Sequence, residues 1–109
     1  MNENQIDNII ARGGTEGWET VGELDALQIT YEFESFERAN NFIQAVGVYA
    51  ETKDHHPEWK LSNGGTTVNV RLTSHFANNK VTLFDFELAE QMNKEFKASL
   101  KGSLYPRFS

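Results

Sequence analysis

Apolar and polar residues alternate strictly in two stretches of the chain, residues 27–33 and residues 67–72. A period of two is typical of a β-strand that buries one of its two faces. Two further strands are predicted over residues 18–24 and 59–62. The link around Gly22 to Asp25 is short, and residues 63–65 read Asn-Gly-Gly. Connections of this kind favour hairpins, so the strands are expected to pair antiparallel.

Helical spacing of apolar residues marks three other segments. The first contains isoleucines at three- and four-residue intervals and ends before Gly13. The central one begins after Ser35, a natural N-cap, and the last begins after Thr82, with Asp85 three residues further on as in a capping box. The apolar set of the central helix is Phe36, Ala39, Phe42, Ile43, Val46 and Ala50.

The order of these elements is helix, two strands, helix, two strands, helix. It predicts an α+β fold, a two-layer sandwich in which a four-stranded antiparallel sheet carries about three helices on one face. The chain has 109 residues and no linker or low-complexity run. Residues 1–109 are therefore expected to form a single domain with one core.

Composition narrows the classes of function. The chain has 10 Lys and Arg against 16 Asp and Glu, for a net charge of −6, and no basic stripe that could follow a phosphate backbone. Nucleic-acid binding is therefore not expected. The chain has no cysteine, which suits a reducing compartment. Neither a signal peptide nor a membrane-spanning apolar run is apparent, so a cytoplasmic protein is predicted.

Candidate chemistry is concentrated in residues 51–59, which read E-T-K-D-H-H-P-E-W and contain two of the three histidines. The ordinary pKa of histidine, about 6.5, allows proton transfer near neutral pH. Pro57 disfavours helical geometry at the residue before it, so the central helix is expected to end here. The third histidine, His75, follows the last strand, and its odd number places it with the polar positions. Taken alone, the adjacent histidines could merely complement a helix dipole, and Asp85 could merely cap a helix.

The string E-x-x-x-H-H-P-x-W from Glu51 to Trp59, with His75 and the Thr82–Asp85 pair, resembles the pterin-4a-carbinolamine dehydratase family over about residues 18–93. The resemblance implies the same fold and a hydro-lyase that converts 4a-hydroxytetrahydropterin to quinonoid dihydropterin in tetrahydrobiopterin recycling. Histidine acid/base chemistry suffices for this elimination, so neither metal nor cofactor is expected. Some relatives are dimerisation cofactors of a homeodomain transcription factor, so the alternative is a non-catalytic binding module with a protein partner and access to the nucleus.

The resemblance also implies roles for individual residues. By that resemblance His56 binds the pterin and takes a proton, and His55 and His75 protonate the departing hydroxyl. Glu51 and Asp85 orient the imidazoles, and Pro57 and Trp59 shape the cleft. A metal hydrolase is a rival class, but adjacent histidines followed by proline are poorly placed to bind one ion, and no two histidines have the i, i+4 spacing.

Two segments depart from the family pattern. The turn at residues 63–65 is longer than usual, and residues 77–81 replace the Gly-Leu that commonly precedes the capping threonine. Asparagine tolerates left-handed backbone, so the second change is expected to be accommodated.

An apolar stripe on the last helix predicts self-association. With Phe86 and Ala89 the stripe covers roughly 200° of the helix, about twice what one sheet requires. Half of it is therefore expected to lack an internal partner, which favours a homo-oligomer, a dimer or tetramer, formed by helix packing and edge-strand pairing. The residues that repeat every four positions are Phe84, Leu88, Met92, Phe96 and Leu100.

Overall fold

The computed structural model describes residues 3–102 of the chain. Four strands form one antiparallel sheet in the order β1-β2-β4-β3, accompanied by three α-helices, which confirms the predicted α+β fold. No helix within this range is long and apolar enough to cross a membrane. The strands are β1 (Glu19–Val21), β2 (Ala26–Glu32), β3 (Glu58–Ser62) and β4 (Thr67–Leu72), and the helices are α1 (Glu3–Ala11), α2 (Phe36–Lys53) and α3 (Leu83–Gly102).

The two central strands bury one face of the sheet, as their alternation predicts. Leu27 of β2 lies opposite Leu72 of β4, and Tyr31 lies opposite Val68. All four side chains belong to one buried cluster with apolar residues of the helices. The opposite face carries the polar residues of both strands.

The first strand is shorter than predicted. A strand over residues 18–24 is expected from sequence, but β1 has three residues because Gly22 and Leu24 adopt positive φ angles of 59° and 62°. The Asp25 N–H donates to the Val21 carbonyl at 2.9 Å and closes the turn to β2. Trp18 lies outside the strand and packs edge-on against Tyr31, with 6.3 Å between ring centroids.

Helix α2 begins and ends as predicted. The Ser35 hydroxyl accepts a hydrogen bond from the Arg38 N–H at 3.2 Å, which is the expected N-cap. At the other end Asp54 adopts a left-handed conformation, with φ 51°, and stops the helix. The His55 N–H donates to the Ala50 carbonyl at 3.1 Å, so the adjacent histidines leave the helix in a defined direction.

The prediction of an unpartnered stripe on α3 is wrong. The helix packs against α1 and α2 and, through Phe96, against Tyr31 of the sheet, so most of the apolar stripe has partners inside the chain. The ring of Phe96 lies 4.7 Å from that of Tyr31. Phe84 is exposed, and the side chain of Leu100 lies outside the described residues. The buried members of the set are Phe86, Leu88, Ala89 and Met92.

Asn93 of α3 joins the N-terminal segment to the core. Its Nδ2 donates to the carbonyls of Gly14 and Glu16 at 2.9 and 3.0 Å. Its Oδ1 accepts from the Tyr31 hydroxyl at 2.6 Å and from the Trp18 indole N–H at 3.2 Å. Burial raises the pKa of Tyr31 well above its ordinary range, so its hydroxyl remains a donor. One side chain therefore satisfies four polar groups, three from residues 14–18 and one from β2.

A second link fastens the residues after α1 to α3. Arg12 donates to both carboxylate oxygens of Glu90, at 2.6 and 2.7 Å. This hydrogen bond and the charge of Arg12 lower the pKa of Glu90, while the same hydrogen bond raises the pKa of Arg12. The bidentate geometry restrains the direction in which the chain leaves α1.

Candidate active site

The loop between β4 and α3 has a closed backbone that positions His75. The Ser74 N–H donates to the Lys80 carbonyl, and the Asn79 N–H donates to the Ser74 carbonyl, each at 3.1 Å. Between these bonds, His75–Ala77 form one 3₁₀ turn. Asn78 and Asn79 then adopt left-handed φ angles of 58° and 60°, which agrees with the expectation that asparagine accommodates the departure from the family pattern.

The same loop is fastened to the turn between β1 and β2. Lys80 forms a hydrogen-bonded ion pair with Asp25, and this hydrogen bond and the lysine charge lower the pKa of the Asp25 carboxyl. The Val81 N–H donates to the Leu24 carbonyl at 2.8 Å. The Thr73 hydroxyl donates to the Asp25 carbonyl, also at 2.8 Å. The backbone around His75 is thus restrained on both sides.

Asp85 is fully buried at the N-terminus of α3 and accepts three hydrogen bonds. Its Oδ2 accepts from the Thr82 N–H at 2.9 Å, which is the predicted capping interaction, and from the Ser74 hydroxyl at 2.7 Å. Its Oδ1 lies 2.6 Å from Nε2 of His55. The same carboxylate therefore caps α3 and contacts the imidazole of His55.

The contact with Asp85 determines which nitrogen of His55 is open. A carboxylate oxygen accepts, so Nε2 carries the proton that faces Asp85, and Nδ1 is left to accept or donate elsewhere. The His55 side chain is only 10% exposed, whereas those of His56 and His75 are largely exposed. His55 is therefore the most firmly oriented histidine of the three.

His56 and His75 also have hydrogen-bonding partners. Nε2 of His56 lies 2.9 Å from Oε1 of Glu51, one turn back on α2. Nδ1 of His75 lies 2.6 Å from the side-chain oxygen of Asn79, and its Nε2 lies 3.6 Å from a carboxylate oxygen of Glu58. One nitrogen of each imidazole is thus within hydrogen-bond distance of a local acceptor, and the second nitrogen of His75 lies at ion-pair distance from Glu58.

The fold brings the histidine pair and His75 to the same end of the sheet. β3 begins where β4 ends, so Glu58 reaches His75 across the strand pair. The ring of His55 lies 6.4 Å from that of Phe76, the neighbour of His75. The C-terminus of α2, the start of β3 and the loop before α3 therefore converge.

The two residues expected to shape the cleft occupy different positions. Pro57 is half-buried directly after His56, where it separates the histidines from β3. Trp59 lies within β3 opposite Val70 and packs against the core cluster. Its described contacts are with that core.

Sequence reasoning missed three residues at this end of the sheet. Ser74 is buried against Asp85, and its even number continues the inward-facing set of β4, which was a readable signal. Phe76 and Phe84 flank His55. Phe84 was identified only as a member of the apolar stripe of the last helix, and no periodicity marks Phe76. Within residues 3–102, no group of three His, Asp or Glu side chains is arranged to bind a metal ion.

The fold and these contacts together define a small α+β protein with histidine–carboxylate pairs gathered at one end of an antiparallel sheet. Residues 1–95 match the family described as pterin 4 alpha carbinolamine dehydratase, and the chain belongs to that family. It is 44% identical over 82 residues to a protein of Opitutus terrae that carries the provisional name pterin-4-alpha-carbinolamine dehydratase. That match covers 75% of this chain and 80% of the relative.

Two solved structures resemble the fold. One is a protein of Brucella melitensis described as a transcriptional coactivator/pterin dehydratase, with a TM-score of 0.71 and 30% identity; the match covers 87% of this chain and 96% of that one. The other is a pterin dehydratase-like protein described as a RuBisCO assembly factor of the α-carboxysome, with a TM-score of 0.60 and 19% identity over 76% of this chain and 93% of that one. The second likeness concerns the fold alone.

Proposed function

We propose that this protein is a 4a-hydroxytetrahydropterin dehydratase, which eliminates water from the 4a-carbinolamine to give the quinonoid dihydropterin. The observation that carries the proposal is the 2.6 Å contact between His55 and the fully buried Asp85, beside the other two histidines. A buried carboxylate that orients an imidazole is a common arrangement for positioned proton transfer. Family membership supports the choice of substrate.

The elimination needs one proton removed from a ring nitrogen and one delivered to the departing hydroxyl, which leaves as water. Neutral His56 is assigned the first step, because Glu51 engages its Nε2 and leaves Nδ1 as the acceptor. Protonated His55 and His75 are assigned the second, through Nδ1 of His55 and Nε2 of His75. Imidazoles alone balance the protons, so the mechanism has no step that needs a metal or a redox cofactor.

The alternative is a binding module that assembles with a protein partner and turns over no pterin. The description of the Brucella melitensis relative as both a coactivator and a pterin dehydratase supports keeping this alternative. Both functions can occupy one fold, because a scaffold can retain histidines that it does not use. Turnover by the purified protein separates them.

The purified protein is expected to accelerate dehydration of a carbinolamine generated in the assay, and exhaustive chelation is expected to leave the rate unchanged. Histidine proton transfer requires no metal, so a chelator removes nothing that the reaction uses. The measurement is the rate of quinonoid product formation before and after dialysis against chelator. Activity lost on chelation and restored by zinc would instead favour the metal hydrolase.

A homo-oligomer is also expected, through residues other than the buried stripe of α3. Val48 on α2 is 69% exposed, and Leu61 lies exposed on the edge strand β3. Light scattering on a sizing-column peak at micromolar concentration should give two or four times 12.4 kDa. Val48→Asp should lower the mass if α2 is the interface, whereas Asn8→Asp, on the exposed face of α1, should not. A monomer mass for the unmodified protein would contradict the expectation.

A further inference from the structure

Phe76 and Phe84 stand beside His55 and contact each other. Their ring centroids lie 5.8 Å apart at an interplanar angle of 73°, an edge-to-face arrangement. The imidazole of His55 lies 6.4 Å from Phe76 and 6.3 Å from Phe84. The three rings therefore form a triangle, which we call the aromatic corner (His55, Phe76, Phe84).

The two phenylalanines of the aromatic corner present most of their surface to solvent. Phe76 is 69% exposed and Phe84 is 51% exposed. Within residues 3–102, the other phenylalanines in ring contact are Phe33, Phe42 and Phe96, and these pack in or against the core. Apolar surface left in water is unfavourable, so two touching exposed rings beside an oriented histidine are better placed to bind a ligand than to stabilise the fold.

Both rings stand on restrained backbone. Phe76 lies in the 3₁₀ turn that the hydrogen bond from the Asn79 N–H to the Ser74 carbonyl closes. Phe84 lies in the first turn of α3, next to the capping residue Asp85. The aromatic corner is thus largely formed before any ligand arrives, which lowers the entropy lost on binding.

We propose that Phe76 and Phe84 form the subsite that binds the planar ring system of the substrate and so determine its affinity. The inference rests on the proposed function for the identity of that ring system, and it assigns two residues outside the histidine motif. Aromatic rings offer large, rigid apolar surface to a flat heterocycle. The open Nδ1 of His55 would then face the polar edge of the bound ring. These contacts act on binding more than on proton transfer.

The test uses a fully oxidised pterin, which is fluorescent and lacks the 4a-hydroxyl, so it binds without reacting. The double variant Phe76→Ala, Phe84→Ala should raise the Kd of this probe and the KM of the carbinolamine by about tenfold, with kcat within about threefold. The control is Phe36→Ala, since Phe36 is 56% exposed at the far end of α2. It should leave Kd and KM within about twofold.

The outcomes separate the subsite from the proposed function. Phe-dependent binding of oxidised pterin by a protein without turnover would overturn the dehydratase assignment and support the subsite. No binding by the unmodified protein, or a double variant with unchanged Kd and KM, would overturn the subsite. A fall in kcat with unchanged Kd would also overturn it, because the rings would then act on His55. If the alanine pair does not fold, Phe76→Leu with Phe84→Leu keeps the apolar volume and carries the same test.

Discussion

Replacement of His56 by alanine is expected to lower the rate of carbinolamine dehydration by about a hundredfold or more, the usual scale for losing a positioned acid or base. The loss should appear in kcat, because the proton acceptor acts on the reacting ring rather than on binding alone. The His56 side chain is exposed and pairs with exposed Glu51, so its removal leaves no buried group unpaired. The measurement is steady-state turnover near neutral pH, with thermal unfolding to check the fold.

His56 is a cleaner target than His55. Truncation of His55 would leave the buried Asp85 short of one donor and would disturb stability along with activity. A suitable control is Glu37→Ala, in the exposed first turn of α2, which should leave turnover unchanged. A folded His56→Ala protein with undiminished turnover would remove His56 from the mechanism.

Replacement of Asn93 by alanine is expected to lower the free energy of unfolding by about 2–4 kcal/mol, because one buried and three partly buried hydrogen bonds are lost at once. The change leaves the Tyr31 hydroxyl, the Trp18 indole N–H and the carbonyls of Gly14 and Glu16 without the amide that joins them. A domain of this size is stable by about 5–15 kcal/mol, so the loss is a large share. Urea denaturation of the unmodified protein and of Asn93→Ala measures the difference in the free energy of unfolding.

The matched control is Asn41→Ala on α2. Asn41 is exposed, and alanine is the better helix former, so the free energy of unfolding should stay the same or rise by less than about 1 kcal/mol. Equal unfolding midpoints for Asn93→Ala and the unmodified protein would show that water replaces the amide, and would contradict the assigned role.

The sequence alone was sufficient to predict the features that depend on residues within one secondary-structure element or one turn. Alternation identified the two central strands, because side chains on a strand point to opposite faces at a period of two. Ser35, Thr82 and Asp85 marked two helix starts, since capping joins residues only three apart. Pro57 marked the end of α2 for a similar local reason. The histidine string marked the end of the sheet at which the structure places all three histidines.

Tertiary structure decided whatever depends on neighbours distant in the chain. The stripe on α3 looked unpartnered because the positions of α1 and α2 against it cannot be read from periodicity. Asn93 had no local signal, since its four partners lie more than sixty residues away. His55 meets Asp85, Phe76 and Phe84 only after the chain folds across the sheet. A pattern in sequence records the requirements of one element, whereas a site is assembled from several, and packing alone brings their side chains together.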